Sequence, residues 1–512
     1  MKIHRPLLTL TAITSFSFAG EVDLKPIGTW ETGIFDESAA EIVQHHPASQ
    51  RLYVVNGDLP GIDVIDIANA DSPEKLFSIE PGPWGDDVQS VAIHGDLVAV
   101  AVSADPVTDP GWIAFYDFEG EFLGKVAVGP LPDMVTFTND GKFVLSANEG
   151  EPSDDYSIDP EGSISVIEVP ADPSQGFPAA TTLTFSAFNG KEIKGSNPGH
   201  PDSTLAQNLE PEYIAVSPDD LHAIVTLQES NAVAIIDLEE MKITDVVGLG
   251  FQDRSQVPFD ASDKDKQINI RNWPTLGMFQ PDSITAFEIE GVPYFATANE
   301  GDARDYDGWS EEARLEDLSL DPTAFPDAET LQEKENLGRL KVTTAIGDTD
   351  GDGDFDEIYH YGGRSFSILN AAGETVYDSG SVIEEKLAEL LPDDFNSNND
   401  ENDSFDKRSD DKGAEPEAIA FGEINGRPLL FVGLERVGGI MIFDVSDPTA
   451  PEWLNYVTTR DFSGDAEKNT AGDLGPEGII VIQAENSPTG KPLLVVSNEV
   501  SGSVTIFEIL SL

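Results

Sequence analysis

Five stretches of this chain share one plan: an acidic residue, an apolar run, a turn, a second apolar run, and another acidic residue. They are PDMVTFTNDGKFVLSANEG from Pro132, PEYIAVSPDDLHAIVTLQES from Pro211, PDSITAFEIEGVPYFATANEG from Pro281, EPEAIAFGEINGRPLLFVGLER from Glu415 and PEGIIVIQAENSPTGKPLLVVSNEV from Pro476. Runs of this length joined by Asn139-Asp140-Gly141 or Pro218-Asp219-Asp220 are β-hairpin signals. A third β-rich run follows several copies: SISVIEV from Ser163, AVAIIDL from Ala232, GIMIFDV from Gly439 and SVTIFEI from Ser503. Three or four short strands repeated along a chain describe the blades of a propeller.

Counted by their first strands, the units start near Glu41, Asp87, Asp133, Glu212, Asp282, Glu417 and Glu477. The expectation is an all-β, seven-bladed β-propeller of the YVTN/WD40-like kind. The last unit has three strands before the chain stops, and VDLKPIGTWE from Val22 is an unassigned strand near the other end. This N-terminal strand is expected to close the ring. Residues 20–512 then form one domain with an insertion at about 310–412, which holds a helix over Val382 to Leu391 and the polar, disorder-prone NSNNDENDSFDKRSDDKG.

In a hairpin, the start of the first strand and the end of the second lie at one edge. The paired acids Asp133 and Glu149, Glu212 and Glu229, Asp282 and Glu300, Glu417 and Glu435, and Glu477 and Glu499 should therefore converge on one mouth of the propeller channel. Crowded carboxylates either raise one another's pKa or recruit a cation. All-oxygen ligands favour a hard ion, calcium first and magnesium second. Arg304 and Arg436 follow closing acids within four residues and are candidate clamps for an anionic group. The related loops NEGEPSDDY from Asn148 and NEGDARDY from Asn299 should project from the same face.

A second cation signal is DTDGDGDFDE, where Asp348, Asp350, Asp352, Asp354 and Asp356 surround Gly353 at a turn position. This matches compact calcium loops, but Tyr359 stands where an EF-hand needs its bidentate glutamate.

Composition narrows the partners. The charge of 29 − 95 = −66 repels nucleic acid and anionic membranes and attracts cations. With 0 cysteines, disulfides and thiolate chemistry are excluded. Residues 1–19 read as a secretory signal, and no later segment is apolar enough to span a bilayer, so the mature chain is expected to be secreted or periplasmic. No nucleophile elbow, zincin helix or phosphate-cradling loop occurs. His45-His46 falls in a turn before RLYVV and reads as solvated.

Together, ANEGEPSDDY, NLEPEYIAVS, INIRNWPTLGMFQPDSI, TANEGDARDY, RSDDKGAEPEAIAFGEINGRPLLFVGLER and LLVVSNEVSGSVTIFEI resemble the choice-of-anchor I family over nearly the whole mature chain. The resemblance implies an exported β-propeller similar to mesenchyme-specific cell-surface glycoproteins. It also implies the alternative of a calcium-dependent phosphoesterase, since some relatives carry an alkaline-phosphatase label. The leading expectation is a secreted calcium-binding propeller acting as a binding or scaffold module, with extracellular polymers or phosphate-bearing small molecules as further partners.

Overall fold

The computed structural model describes residues 16–17, 22–83, 85 and 87–511. The segment read as a secretory signal lies almost wholly outside them. The fold is a β-propeller arrangement of four-stranded antiparallel sheets. The first sheet is Val43–His46, Arg51–Asn56, Gly61–Asp66 and Glu74–Ile79, and the second is Asp87–His94, Leu97–Ser103, Pro110–Asp117 and Phe122–Pro130. The third is Pro132–Phe137, Phe143–Asn148, Ser163–Glu168 and Thr181–Thr184, and the fourth Ile214–Val216, His222–Leu227, Ala232–Asp237 and Lys242–Gly248. The fifth is Ile284–Ile289, Val292–Asn299, Ser365–Asn370 and Thr375–Asp378. The sixth is Pro416–Ile424, Arg427–Leu434, Ile440–Asp444 and Glu452–Thr458, with Phe16–Ser17 added at its outer edge. The seventh is Pro476–Ile482, Leu493–Asn498 and Ser503–Ser511, and its fourth strand is Val22–Glu31, paired from Val22↔Ser511 to Glu31↔Ser503.

The turns explain the register. Asn425-Gly426 joins Ile424 to Arg427 with φ of 54° and 79°, the two left-handed positions of a two-residue hairpin loop. Second strands such as Leu97–Ser103 and Leu493–Asn498 are buried at every residue, because both faces of each sheet are covered. The apolar layers run from sheet to sheet. Val64 of the first packs with Val98 of the second, Phe115 with Ile167 of the third, Leu145 with Val225 of the fourth, and Ile224 with Phe295 of the fifth. Ile368 then packs with Leu430 of the sixth, Phe431 with Leu494 of the seventh, and Val495 with Val54 of the first.

A separate sheet orders Phe251–Asp253, Leu276–Met278, Tyr359–His360, Lys341–Thr343 and Glu312–Arg314, with one parallel pair, Leu276↔Tyr359. It has its own core of Phe259, Trp273, Leu315, Leu340 and Ile358. The expected helix spans Val382–Leu390.

Two expectations are corrected. The polar stretch read as disorder-prone is packed, with Asn396, Asn399, Ser404, Asp406 and Ser409 to Lys412 all buried. Arginine forks hold its backbone, and Phe405 packs against the core around Phe395. Arg364 donates to Ser409 O, Asp411 O and Asp260 O at 2.8, 2.7 and 2.7 Å and to Glu384 Oε1 at 2.7 Å, while Arg460 donates to Asn398 O and Glu401 O at 2.8 and 2.9 Å. His46 ends the strand Val43–His46 and is buried against Phe118, with Nδ1 2.6 Å from Ser49 Oγ.

Candidate functional site

The acids that open the units are aimed by backbone irregularities. In the third, sixth and seventh sheets the first strand begins with a proline followed by the acid, and the ladder shifts register there: Pro132/Met134, Pro416/Ile419 and Pro476/Gly478. Such a bulge re-aims a side chain away from the alternating pattern. The acids that close the second strands are tied to the same edge by their amides: Glu149 N–H donates to Leu131 O, Glu435 to Glu415 O and Glu499 to Gly475 O at 2.8, 2.9 and 2.8 Å.

Their electrostatics show that they meet. Burial is the first cause of a raised pKa at Glu212, and Glu229, Asp282, Glu149 and Asp133 add to it; Glu477 is raised by burial and then by Glu41, Glu499, Asp282 and Glu435. Glu417 is raised by burial, then by Glu435, Glu300 and Glu477. Burial and the Glu499 carboxylate push Glu41 up to about 8, and burial and Glu151 push Asp133 up to about 6. Carboxylates from several sheets thus share one field.

Within this rim the structure gathers two tight groups. Glu149, Glu212 and Glu229 offer oxygens that all lie within 4.8 Å of one another, and so do Glu300, Glu415 and Glu435. Asp133, Asp282, Glu417, Glu477 and Glu499 are at the mouth but in neither group. The two groups have opposite surroundings. Glu212 and Glu229 are each 8% exposed, and each has a buried Oε2 without a hydrogen-bond partner. In the other group, Lys412 Nζ donates to Glu300 Oε1 at 2.6 Å and to Gly301 O at 2.5 Å and lies 3.2 Å from Glu415 Oε2. Arg408 and Arg436 pair with Glu415 as well. Burial alone would raise Glu415, but Lys412, Arg408 and Arg436 outweigh it and hold its carboxyl well below the usual range.

Sequence reasoning missed Glu415 and Lys412. Glu415 precedes the Pro-acid step and turns inward through a left-handed φ of 52°; the available signal was a lysine isolated among acids in SDDKGAEPE. Arg304 and Arg436 are placed differently from open anion clamps. Arg304 is 1% exposed, donates through Nε to Glu210 Oε2 at 2.8 Å and through Nη2 to Asn208 O at 2.7 Å, and lies 3.6 Å from Glu311. Arg436 pairs with Glu415 and Glu435 at 3.0 and 2.9 Å. Both guanidiniums thus face carboxylates of the chain itself, and Arg304 keeps a buried Nη1 without a hydrogen-bond partner.

The two NEG loops do meet over the mouth: Tyr306 donates to Glu151 Oε1 at 3.0 Å, and its ring stands edge-on to Tyr156 at 5.4 Å. Below them a cavity of 630 Å³ is lined by first strands, with Glu477 and Tyr213 in its wall and His45 and Asn139 farther along. Burial lowers the His45 pKa to about 4, so its ring is neutral at pH 7.

The aspartate loop is a separate, exposed cluster. Asp348, Asp350 and Asp356 form one group within 4.8 Å, and Asp356 joins Asp354 and Asp321 in another; Asp352 is in neither. Asp321 arrives through the Leu320↔Phe355 bridge and was not visible in the loop's own pattern. Both the mouth and this loop present clustered carboxylate oxygens, donors suited to a hard divalent ion.

Several known proteins are similar. Gigasin-3a of Magallana gigas is 36% identical over 194 residues, 36% of this chain and 68% of that protein. The mesenchyme-specific cell surface glycoprotein of Strongylocentrotus purpuratus is 29% identical over 282 residues, 48% of this chain but only 36% of its own length. Among solved structures, Kuenenia stuttgartiensis hydrazine synthase aligns with a TM-score of 0.48 and 12% identity over 94% of this chain and 99% of that one. The Myceliophteria thermophila Cps50 (Swd1) β-propeller domain aligns with a TM-score of 0.47 and 8% identity over 95% and 100%. Among the described residues no helix is long and apolar enough to cross a membrane. The sequence profile of the choice-of-anchor I domain matches residues 41–448, and the chain belongs to that family.

Proposed function

We propose that this chain is an extracellular binding module, a seven-bladed β-propeller closed by Val22–Glu31, that holds calcium at its acidic mouth and engages ligands there. The observation that carries this reading is the group Glu149, Glu212 and Glu229. Three carboxylates bring oxygens within 4.8 Å of one another, and two of them have buried oxygens with no donor. A buried unpaired carboxylate is costly, and a bound cation removes that cost. The cell-surface role in the sea-urchin relative's name supports an exterior location.

An ion held by three protein carboxylates keeps coordination positions open, since calcium takes six to eight oxygens. Those positions suit carboxylate or phosphate groups of extracellular polymers and phosphate-bearing small molecules. Elemental mass spectrometry of the purified chain and of Glu229→Gln should show one calcium fewer per chain in the variant, with the calcium-induced rise in Tm reduced accordingly. Equal calcium in both proteins would sink the assignment.

The aspartate loop is proposed as an independent calcium site. Calcium should protect residues 347–357 from proteolysis, and Asp350→Asn should abolish that protection while leaving the mouth's ion in place. Protection unchanged in the variant would remove the loop from the reading.

A further inference from the structure

We infer that Lys412 is a tethered stand-in for a second cation, so that the mouth is built as two carboxylate sites, one open to a free ion and one permanently filled by the chain's own amine. The inference deepens the proposed function and rests on that reading of the mouth.

The two groups are alike in composition. Each has three glutamates with oxygens within 4.8 Å of one another, and each includes the acid that closes a second strand: Glu149 and Glu229 in one, Glu300 and Glu435 in the other. They differ in what neutralises them. Around Glu300, Glu415 and Glu435 stand Lys412, Arg408 and Arg436. Among the described residues no lysine or arginine forms an ion pair with the open group; Arg304, whose charge reaches Glu229, is itself paired with Glu210 and Glu311.

The immediate shell of the Lys412 amine is the shell of a hard cation. Nζ donates to Glu300 Oε1 at 2.6 Å and to the Gly301 carbonyl at 2.5 Å, with Glu415 Oε2 at 3.2 Å and Asp302 Oδ1 farther out at 4.0 Å. A mixture of carboxylates and a backbone carbonyl is the ligand set calcium uses. The ammonium engages these oxygens through two hydrogen bonds and the attraction of its charge, but it is monovalent and cannot leave. Lys412 therefore brings the packed segment 396–413 onto the rim and fixes one half of the mouth irrespective of ion concentration, which leaves the Glu149–Glu212–Glu229 half as the part that responds to the surroundings.

The test is a calcium titration of the whole chain by calorimetry and elemental analysis, comparing wild type, Lys412→Met, Lys412→Met/Glu300→Gln and Glu229→Gln. Methionine keeps an unbranched, flexible side chain one atom shorter and removes its charge. Lys412→Met should bind one more calcium than wild type, and adding Glu300→Gln should remove the gained ion. The same calcium count in a folded Lys412→Met as in wild type would overturn the inference. If Lys412→Met does not fold in chelator, refolding on addition of calcium supports the inference, and failure to refold with calcium present overturns it, because the ion should replace the amine. The two readings fail separately: an extra ion in Lys412→Met with no loss in Glu229→Gln removes the open site but keeps the stand-in.

Discussion

Arg364→Met is expected to destabilise the protein by about 3–5 kcal/mol, the cost of stranding one partner of a buried ion pair. Arg364 and Glu384 are each 2% exposed, and the guanidinium lies 2.7 Å from the carboxylate. The same side chain is the donor for three backbone carbonyls, at Asp260, Ser409 and Asp411. Each carbonyl left without a donor adds roughly 1–3 kcal/mol unless water reaches it. The loss should show as a lower denaturation midpoint and as new protease cleavage near Ser409 and Asp411, whose carbonyls lose their donor. Arg364→Met/Glu384→Leu should recover part of the stability by removing the orphaned charge. A double variant no more stable than Arg364→Met would mean that the carbonyl contacts, not the ion pair, dominate. A single variant within 1 kcal/mol of wild type would refute the account of how the polar segment is held.

Without calcium, the melting temperature should fall as pH rises from about 5 to about 8. Burial and neighbouring carboxylates raise Asp133 to about 6 and Glu41 to about 8, and lift Glu149, Glu212 and Glu229 well above their usual value. A carboxyl whose folded pKa is raised binds its proton more tightly in the folded state. Its contribution to stability is therefore complete below the unfolded value of about 4.5 and is lost as pH climbs through the folded value. Glu415 has the opposite sign: held well below its usual value, it stabilises the fold above the ordinary carboxylate range and loses that contribution in acid. Saturating calcium should flatten or reverse the slope between pH 5 and 8, because the ion takes the place of the protons, and apparent calcium affinity should rise over the same window. Differential scanning calorimetry in chelator and in calcium decides the matter. A chelated protein whose melting temperature rises steadily to pH 8 would show that the mouth acids are not crowded in solution.

The hairpin rule was enough to place the acids at one edge, because strand direction and the two-residue alternation are local properties. The pairing of VDLKPIGTWE with the last strand was equally legible, since an odd strand at one end and an incomplete sheet at the other leave one solution. What periodicity cannot see is contact between different sheets. It put all ten paired acids on an equal footing, whereas the structure gathers Glu149, Glu212 and Glu229 in one group, joins Glu300 and Glu435 with Glu415 in another, and neutralises that second group with a lysine from a connecting segment. The polar stretch was misread for a related reason. Composition scores the apolar area a segment can bury, but 396–413 is held by Arg364 and Arg460 donating to its carbonyls, and those arginines lie far from it in sequence. His46 was misjudged because a turn was assumed where the strand Val43–His46 continues.

The strand Val22–Glu31 has a further consequence for the order of events in folding. Its partner is Ser503–Ser511, and side chains that touch across the pair, such as Thr29 and Thr505, are 476 residues apart. Until both strands are in place, the edge of Ser503–Ser511 that Val22–Glu31 covers stays open. Sheets built from neighbouring strands can form through local contacts, whereas this one needs a contact of very high sequence separation, which makes its completion a slow, long-range step.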